Sequence, residues 1–94
     1  MCRDSTRLNI NEVEMLKQKT QRIFNYEFLT FRDFIEIYNI LSFVAGAGLT
    51  KTSVPDLNRQ LAELINALQG TDLSAVINNS IAIRLKETAD KIFK

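Results

Sequence analysis

The chain has 94 residues, 46% hydrophobic and 24% charged, a globular composition that argues against disorder and suits one domain with one modest core. Twelve basic residues against eleven acidic ones leave a formal net charge of +1, so no bulk field draws the chain to nucleic acid or an acidic membrane. Histidine is absent and cysteine occurs once, at Cys2, which removes the commonest general base and metal ligand, any internal disulfide and any thiolate metal site.

Residues 1–10, MCRDSTRLNI, are polar and carry no secretory signal. They are expected to form a flexible N-terminal tail whose lone thiol fits the reducing cytoplasm. A first helix is expected from about Asn11 to Asn25. Asn9 or Asn11 can cap it, and Glu12 and Glu14 suit the positive end of its dipole. Val13, Leu16, Ile23 and Phe24 recur at helical spacing, with Thr20 filling the gap, while Lys17, Gln18, Gln21 and Arg22 lie toward the other faces.

A second helix is expected from about Thr30 to Ala45, and Thr30 with Asp33 has the spacing of a capping box. Its apolar residues, from Phe31 to Val44, cover most of its circumference and leave only a narrow polar stripe of Arg32, Glu36, Asn39 and Ser42. Such a helix must be central in the core or buried in an oligomer. The apolar run FIEIYNILSFVAGAGL, residues 34–49, is shorter than the ~20 residues of a bilayer span, so membrane contact is at most peripheral.

The next stretch, FVAGAGLTKTSVPD at 43–56, invites comparison with a phosphate-binding loop. In G-x-x-x-x-G-K-[ST], a lysine at Lys51 would require glycines at 45 and 50, where Ala45 and Thr50 stand. The backbone amides therefore lack the curvature a phosphate needs. Gly46 and Gly48 instead stop the second helix, and Ser53 with Pro55 starts the third. Leu57, Leu61, Leu64, Ile65 and Leu68 form its apolar stripe, Arg59 and Glu63 stand four apart as a surface pair, and Gly70 ends it.

A fourth helix is expected to begin after Thr71 or Asp72 and to reach the C-terminus. Leu73, Val76, Ile77, Ile81, Leu85, Ala89, Ile92 and Phe93 keep helical phase, and Glu87 with Lys91 has the favourable i,i+4 order. INNSI, at 77–81, has poor helix propensity, so a kink or break near Asn79 is the alternative to one continuous rod. The short connections favour antiparallel neighbours. The expected fold is a single-domain, all-α antiparallel four-helix bundle over residues 1–94.

No arrangement of catalytic, cofactor-binding or metal-binding residues is evident. The carboxylates Glu12 with Glu14, and Asp33 with Glu36, lie on polar helix faces where solvation accounts for them. Lys17, Lys19 and Arg22 are too few and too mixed with acids to form a nucleic-acid stripe. The last helix carries Arg84, Lys86, Lys91 and Lys94. The helix dipole partly explains cations near a C-terminus. The same four residues are the candidate docking face for an acidic or membrane-associated partner.

TSVPDLNRQLAELINAL at 52–68, followed by LSAVINNSIAIRLKE at 73–87, resembles the second half of the small immunity proteins that protect lactic-acid bacteria and streptococci from their own pediocin-like bacteriocins. The similar parts are the Val54-Pro55 helix start, the Leu57 and Arg59 pattern, the stretch from Glu63 to Ile65, and the final amphipathic helix. The resemblance implies a cytoplasmic antiparallel four-helix bundle that protects by binding, without catalysis or cofactor. It implies recognition of the bacteriocin-occupied sugar-transport permease of the mannose phosphotransferase system, with the C-terminal half choosing the bacteriocin. Arg84, Lys86, Lys91 and Lys94 are then the first candidates for contact. The rival expectation is a small helical adaptor or regulatory subunit acting as a homodimer or by binding a partner protein, motivated by the nearly all-apolar second helix.

Overall fold

A computed structural model describes residues 10–48 and 50–93 of the chain. Four helices follow one another: α1 (Ile10–Phe24), α2 (Phe31–Gly46), α3 (Val54–Ala67) and α4 (Asn79–Ile92). They form a compact antiparallel bundle in which α2 is the hub, packed against all three other helices. That position answers the apolar circumference of α2. Phe34, Ile37, Ile40, Leu41, Val44 and Ala45 are buried, and Phe31, Ile35 and Tyr38 are half-buried beside them. Phe43 alone among its large apolar residues is exposed, at 51%.

The shared core draws Ile23 from α1, Phe34, Ile37, Leu41 and Val44 from α2, Leu57, Leu61 and Leu64 from α3, and Leu85, Ala89 and Ile92 from α4. Leu68, at the C-cap of α3, is also buried. Two buried threonines dispose of their hydroxyls locally. Thr20 donates to the Leu16 carbonyl at 2.8 Å and Thr88 to the Arg84 carbonyl at 3.1 Å, so each can present its methyl to apolar neighbours.

The helix starts follow from their caps. Thr30 and Asp33 make a full capping box: the Asp33 N–H donates to the Thr30 hydroxyl at 3.3 Å, and the Thr30 N–H donates to Asp33 Oδ2 at 2.9 Å. Ser53 caps α3 by accepting from the Asp56 N–H at 3.2 Å, with Pro55 in the first turn where no amide is missed. Asn78 caps α4 by accepting from the Ser80 N–H at 2.8 Å. The expected caps of α1 fall differently. Asn11 lies inside the helix, and Asn9 lies outside the described residues. The proposed tail over 1–10 also lies outside them, except that Ile10 already begins α1.

The glycines behave as helix stops. Gly46 is the last residue of α2, and Gly48 follows with φ +76°. Gly70 adopts φ +79° just beyond α3, a left-handed conformation open to glycine without steric cost.

The last segment departs from expectation. Residues 71–78 are not helical, and α4 begins only at Asn79. Asn78, Asn79 and Ser80 thus form a helix start rather than a kink. Upstream of them, the chain pairs with the α1–α2 connection through an antiparallel bridge between Thr30 and Val76. The Ile77 N–H donates to the Leu29 carbonyl at 2.8 Å, and the Phe31 and Arg32 N–H groups donate to the Ala75 and Leu73 carbonyls, each at 3.0 Å. This clasp supplies acceptors for the first two amides of α2, which an isolated helix leaves unpaired. Together with the capping box it satisfies the whole first turn. Ile77 and Leu29 are buried by the clasp, whereas Leu73 and Val76, expected on the apolar stripe, are 44% and 57% exposed.

Thr30 serves both the box and the bridge. Thr30→Ala is therefore expected to lower stability by about 1 kcal/mol, the usual cost of losing a threonine cap. Thermal unfolding followed by far-UV circular dichroism measures it, and an unchanged melting temperature would remove the cap from the account.

Candidate functional site

Charged side chains on α3 and α4 sort into paired and unpaired sets. Arg59 bonds Asp56 one turn back instead of the expected Glu63. Glu63 instead receives Arg84 from α4, Nη1 to Oε1 at 3.0 Å. On the opposite side, Lys19 of α1 meets Glu36 of α2 at 3.0 Å. These exposed pairs set register more than they add stability, each contributing about 0–1 kcal/mol. Tyr38 donates to the Asn58 amide oxygen and ties α2 to α3.

Of the expected docking residues, Arg84 is thus engaged within the bundle. Lys94 lies outside the described residues. Lys86 and Lys91 make no ion pair among the described residues and come together with residues that the sequence did not place beside them. They line a groove of about 590 Å³ between α1 and α4. Lys17, Thr20, Gln21, Phe24 and Asn25 form its α1 bank. Lys86, Ala89, Asp90, Lys91 and Phe93 form its α4 bank. A second hollow, about 200 Å³, lies on the α3 side of α4, where Gln60, Arg84, Glu87, Thr88 and Lys91 meet.

The groove exists because the bundle is not closed on this side. α1 packs chiefly on α2, and α4 packs on α2 and α3. Each bank is a stripe with helical spacing. Positions 17, 20, 21 and 24 carry Lys, Thr, Gln and Phe, and positions 86, 89, 90 and 93 carry Lys, Ala, Asp and Phe. Each repeats the order lysine, small residue, polar residue, phenylalanine, so each stripe lining the groove carries one lysine and one phenylalanine about two turns apart. Phe24 and Phe93 are half-buried, while Thr20 and Ala89 are buried. Lys17, Lys86 and Lys91 make no ion pair among the described residues, and Asp90 is the one carboxylate in the lining. The local balance is therefore cationic in a chain that is nearly neutral overall.

Such a site can hold an apolar group and attract negative charge. It lacks a nucleophile beside a base, and no group of three or more Cys, Asp or Glu side chains among the described residues could hold a metal. Among those residues, no helix is long and apolar enough to cross a membrane. Comparison with family models, with curated proteins and with solved structures finds no match to this chain. The class that the fold and groove define is a small all-α bundle with one open, cationic side.

Proposed function

We propose that this chain is a non-catalytic binding protein and that it works in the cytoplasm as an immunity protein against pediocin-like bacteriocins. The observation that carries the binding half of the proposal is the open α1–α4 side, where exposed Lys86 and Lys91 and half-buried Lys17, none ion-paired among the described residues, surround half-buried Phe24 and Phe93. Cations left unpaired around apolar side chains favour recognition of a complementary surface over self-stabilisation. Two features support the immunity half: the helical-bundle fold and the sequence resemblance over residues 52–68 and 73–87. On this proposal the partner is the bacteriocin-occupied sugar-transport permease, approached at its cytoplasmic face. Lys86 and Lys91 make contact together with Lys17, and Arg84 and Lys94 flank them.

The homodimeric adaptor has less to recommend it. Its motive is an α2 too apolar for one chain to cover, and three helices of the same chain cover α2 apart from Phe43.

The test is expression in a bacteriocin-sensitive strain challenged with a panel of pediocin-like peptides. The wild-type chain should raise the inhibitory concentration of at least one peptide by about tenfold or more. The combined Lys17→Glu, Lys86→Glu and Lys91→Glu variant should lose that protection at equal cellular abundance, because reversed rim charges repel what the lysines attracted. Failure of the wild-type chain to protect against any peptide in the panel would overturn the immunity proposal.

A further inference from the structure

We infer that the α1–α4 groove accepts an acidic amphipathic helix. The inference rests on the groove being the docking site and goes beyond it by naming the partner's chemistry. The shape argues for a helix. Both banks present ridges at spacings of three and four residues, Lys17–Thr20–Gln21–Phe24 and Lys86–Ala89–Asp90–Phe93, the pattern into which the ridges of a further helix pack. Each bank runs about two turns, at 1.5 Å per residue, which matches a helix that anchors by apolar residues at i, i+3 or i+4, and i+7. Phe24, Phe93 and Ala89 offer those anchors an apolar floor, and the roughly 590 Å³ of free space suits side chains rather than a flat contact.

The charge argues for acidity. Three lysines that make no ion pair among the described residues are shared between the two banks, against one aspartate. Elsewhere Lys19, Arg59 and Arg84 are each matched to a carboxylate, and Arg22, Arg32 and Lys51 make no ion pair among the described residues; what sets the groove apart is that its three lysines share one lining with a single aspartate. The groove therefore repels a basic amphipathic helix and attracts one whose anchors are flanked by glutamate or aspartate.

Selection of displayed random 16-residue peptides on the immobilised full chain reads this chemistry directly, with counter-selection on the Lys17→Glu, Lys86→Glu, Lys91→Glu variant. Circular dichroism first establishes that the variant keeps its helicity. Retained peptides should be net acidic, with apolar residues three and four apart. Fluorescein-labelled copies should bind the variant about tenfold or more weakly than the wild type. Binding should also weaken about tenfold between 0.05 and 0.5 M NaCl, and be unchanged by Lys51→Glu, a charge reversal in the α2–α3 connection. Retained peptides with no acidic bias, or with equal affinity for the variant, would overturn the inference. So would selections that yield no variant-sensitive peptide while dodecanoate shifts the Lys86 and Phe93 resonances, which would assign the groove to a small amphiphile. The two proposals fail separately: acidic peptides without cellular protection sink the immunity proposal alone, and protection lost in the variant without acidic bias sinks this inference alone.

Discussion

Leu41→Ala should be among the most damaging single truncations in the chain, lowering stability by about 3 kcal/mol or more. Leu41 is fully buried on α2, the helix that touches all three others. Removing its branched end leaves a void lined by several elements at once, which no one helix can move to fill. The cost combines lost transfer of the methyl groups with an unfilled cavity, and buried leucine truncations span about 2–5 kcal/mol. A domain of this size holds roughly 5–14 kcal/mol in total, so the variant keeps its fold but loses a large share of its margin. The melting temperature should fall by roughly 12–24 °C. Urea titration should show a lower midpoint at an unchanged slope, the mark of a stability effect rather than a more compact denatured state. Asn39→Ala, on the exposed side of the same helix, should stay within about 0.5 kcal/mol. A loss below about 1 kcal/mol at Leu41 would contradict the hub role of α2.

Three truncations in the clasp should separate by position rather than residue type. Ile77→Ala is expected to cost about 2–4 kcal/mol, whereas Leu73→Ala and Val76→Ala should each stay near 0.5 kcal/mol. Ile77 is 6% exposed, and its amide is bonded to Leu29, while Leu73 and Val76 face solvent. Had α4 begun at Thr71, Leu73 and Ile77 would share a buried face four residues apart and cost alike. Chemical denaturation of the three variants decides between these arrangements. Equal losses at Leu73 and Ile77 would refute the clasp.

That contrast also shows where sequence reasoning was informative. Caps are local, and Thr30 with Asp33, Ser53 with Pro55, and Gly70 all occupy the positions their chemistry requires. The leucine stripe of α3 and the central place of α2 were equally legible, because amphipathic period and all-round apolarity belong to one helix at a time. Residues 71–78 were not. Leu73, Val76 and Ile77 carry helical spacing, and what overrules it is a bridge to Thr30 and hydrogen bonds to Leu29, Phe31 and Arg32, distant partners that local periodicity cannot see.

The groove was half legible. Lys86 and Lys91 stood out as cations on the last helix. Arg84 did too, although its charge is spent on Glu63 across the α3–α4 contact. Periodicity reads Phe24 and Phe93 as core stripe and Lys17 as a surface cation, and their place beside the groove depends on how far α1 stands from α4, a property of bundle closure and of neither helix alone. The repeated order of lysine, small, polar and phenylalanine at Lys17–Phe24 and Lys86–Phe93 was the available signal. It gains meaning only when the two stripes line one cleft.

The clasp has a consequence for how the polypeptide may be divided. The opening amides of α2 lean on carbonyls contributed by Leu73 and Ala75, from the other half of the molecule. Cut between α2 and α3, the first fragment would have only water to satisfy those amides, and Leu29 would lose its cover. Neither helical hairpin is thus a self-sufficient module. Any scheme that grafts, truncates or swaps one pair must carry over the matching crossover from the other.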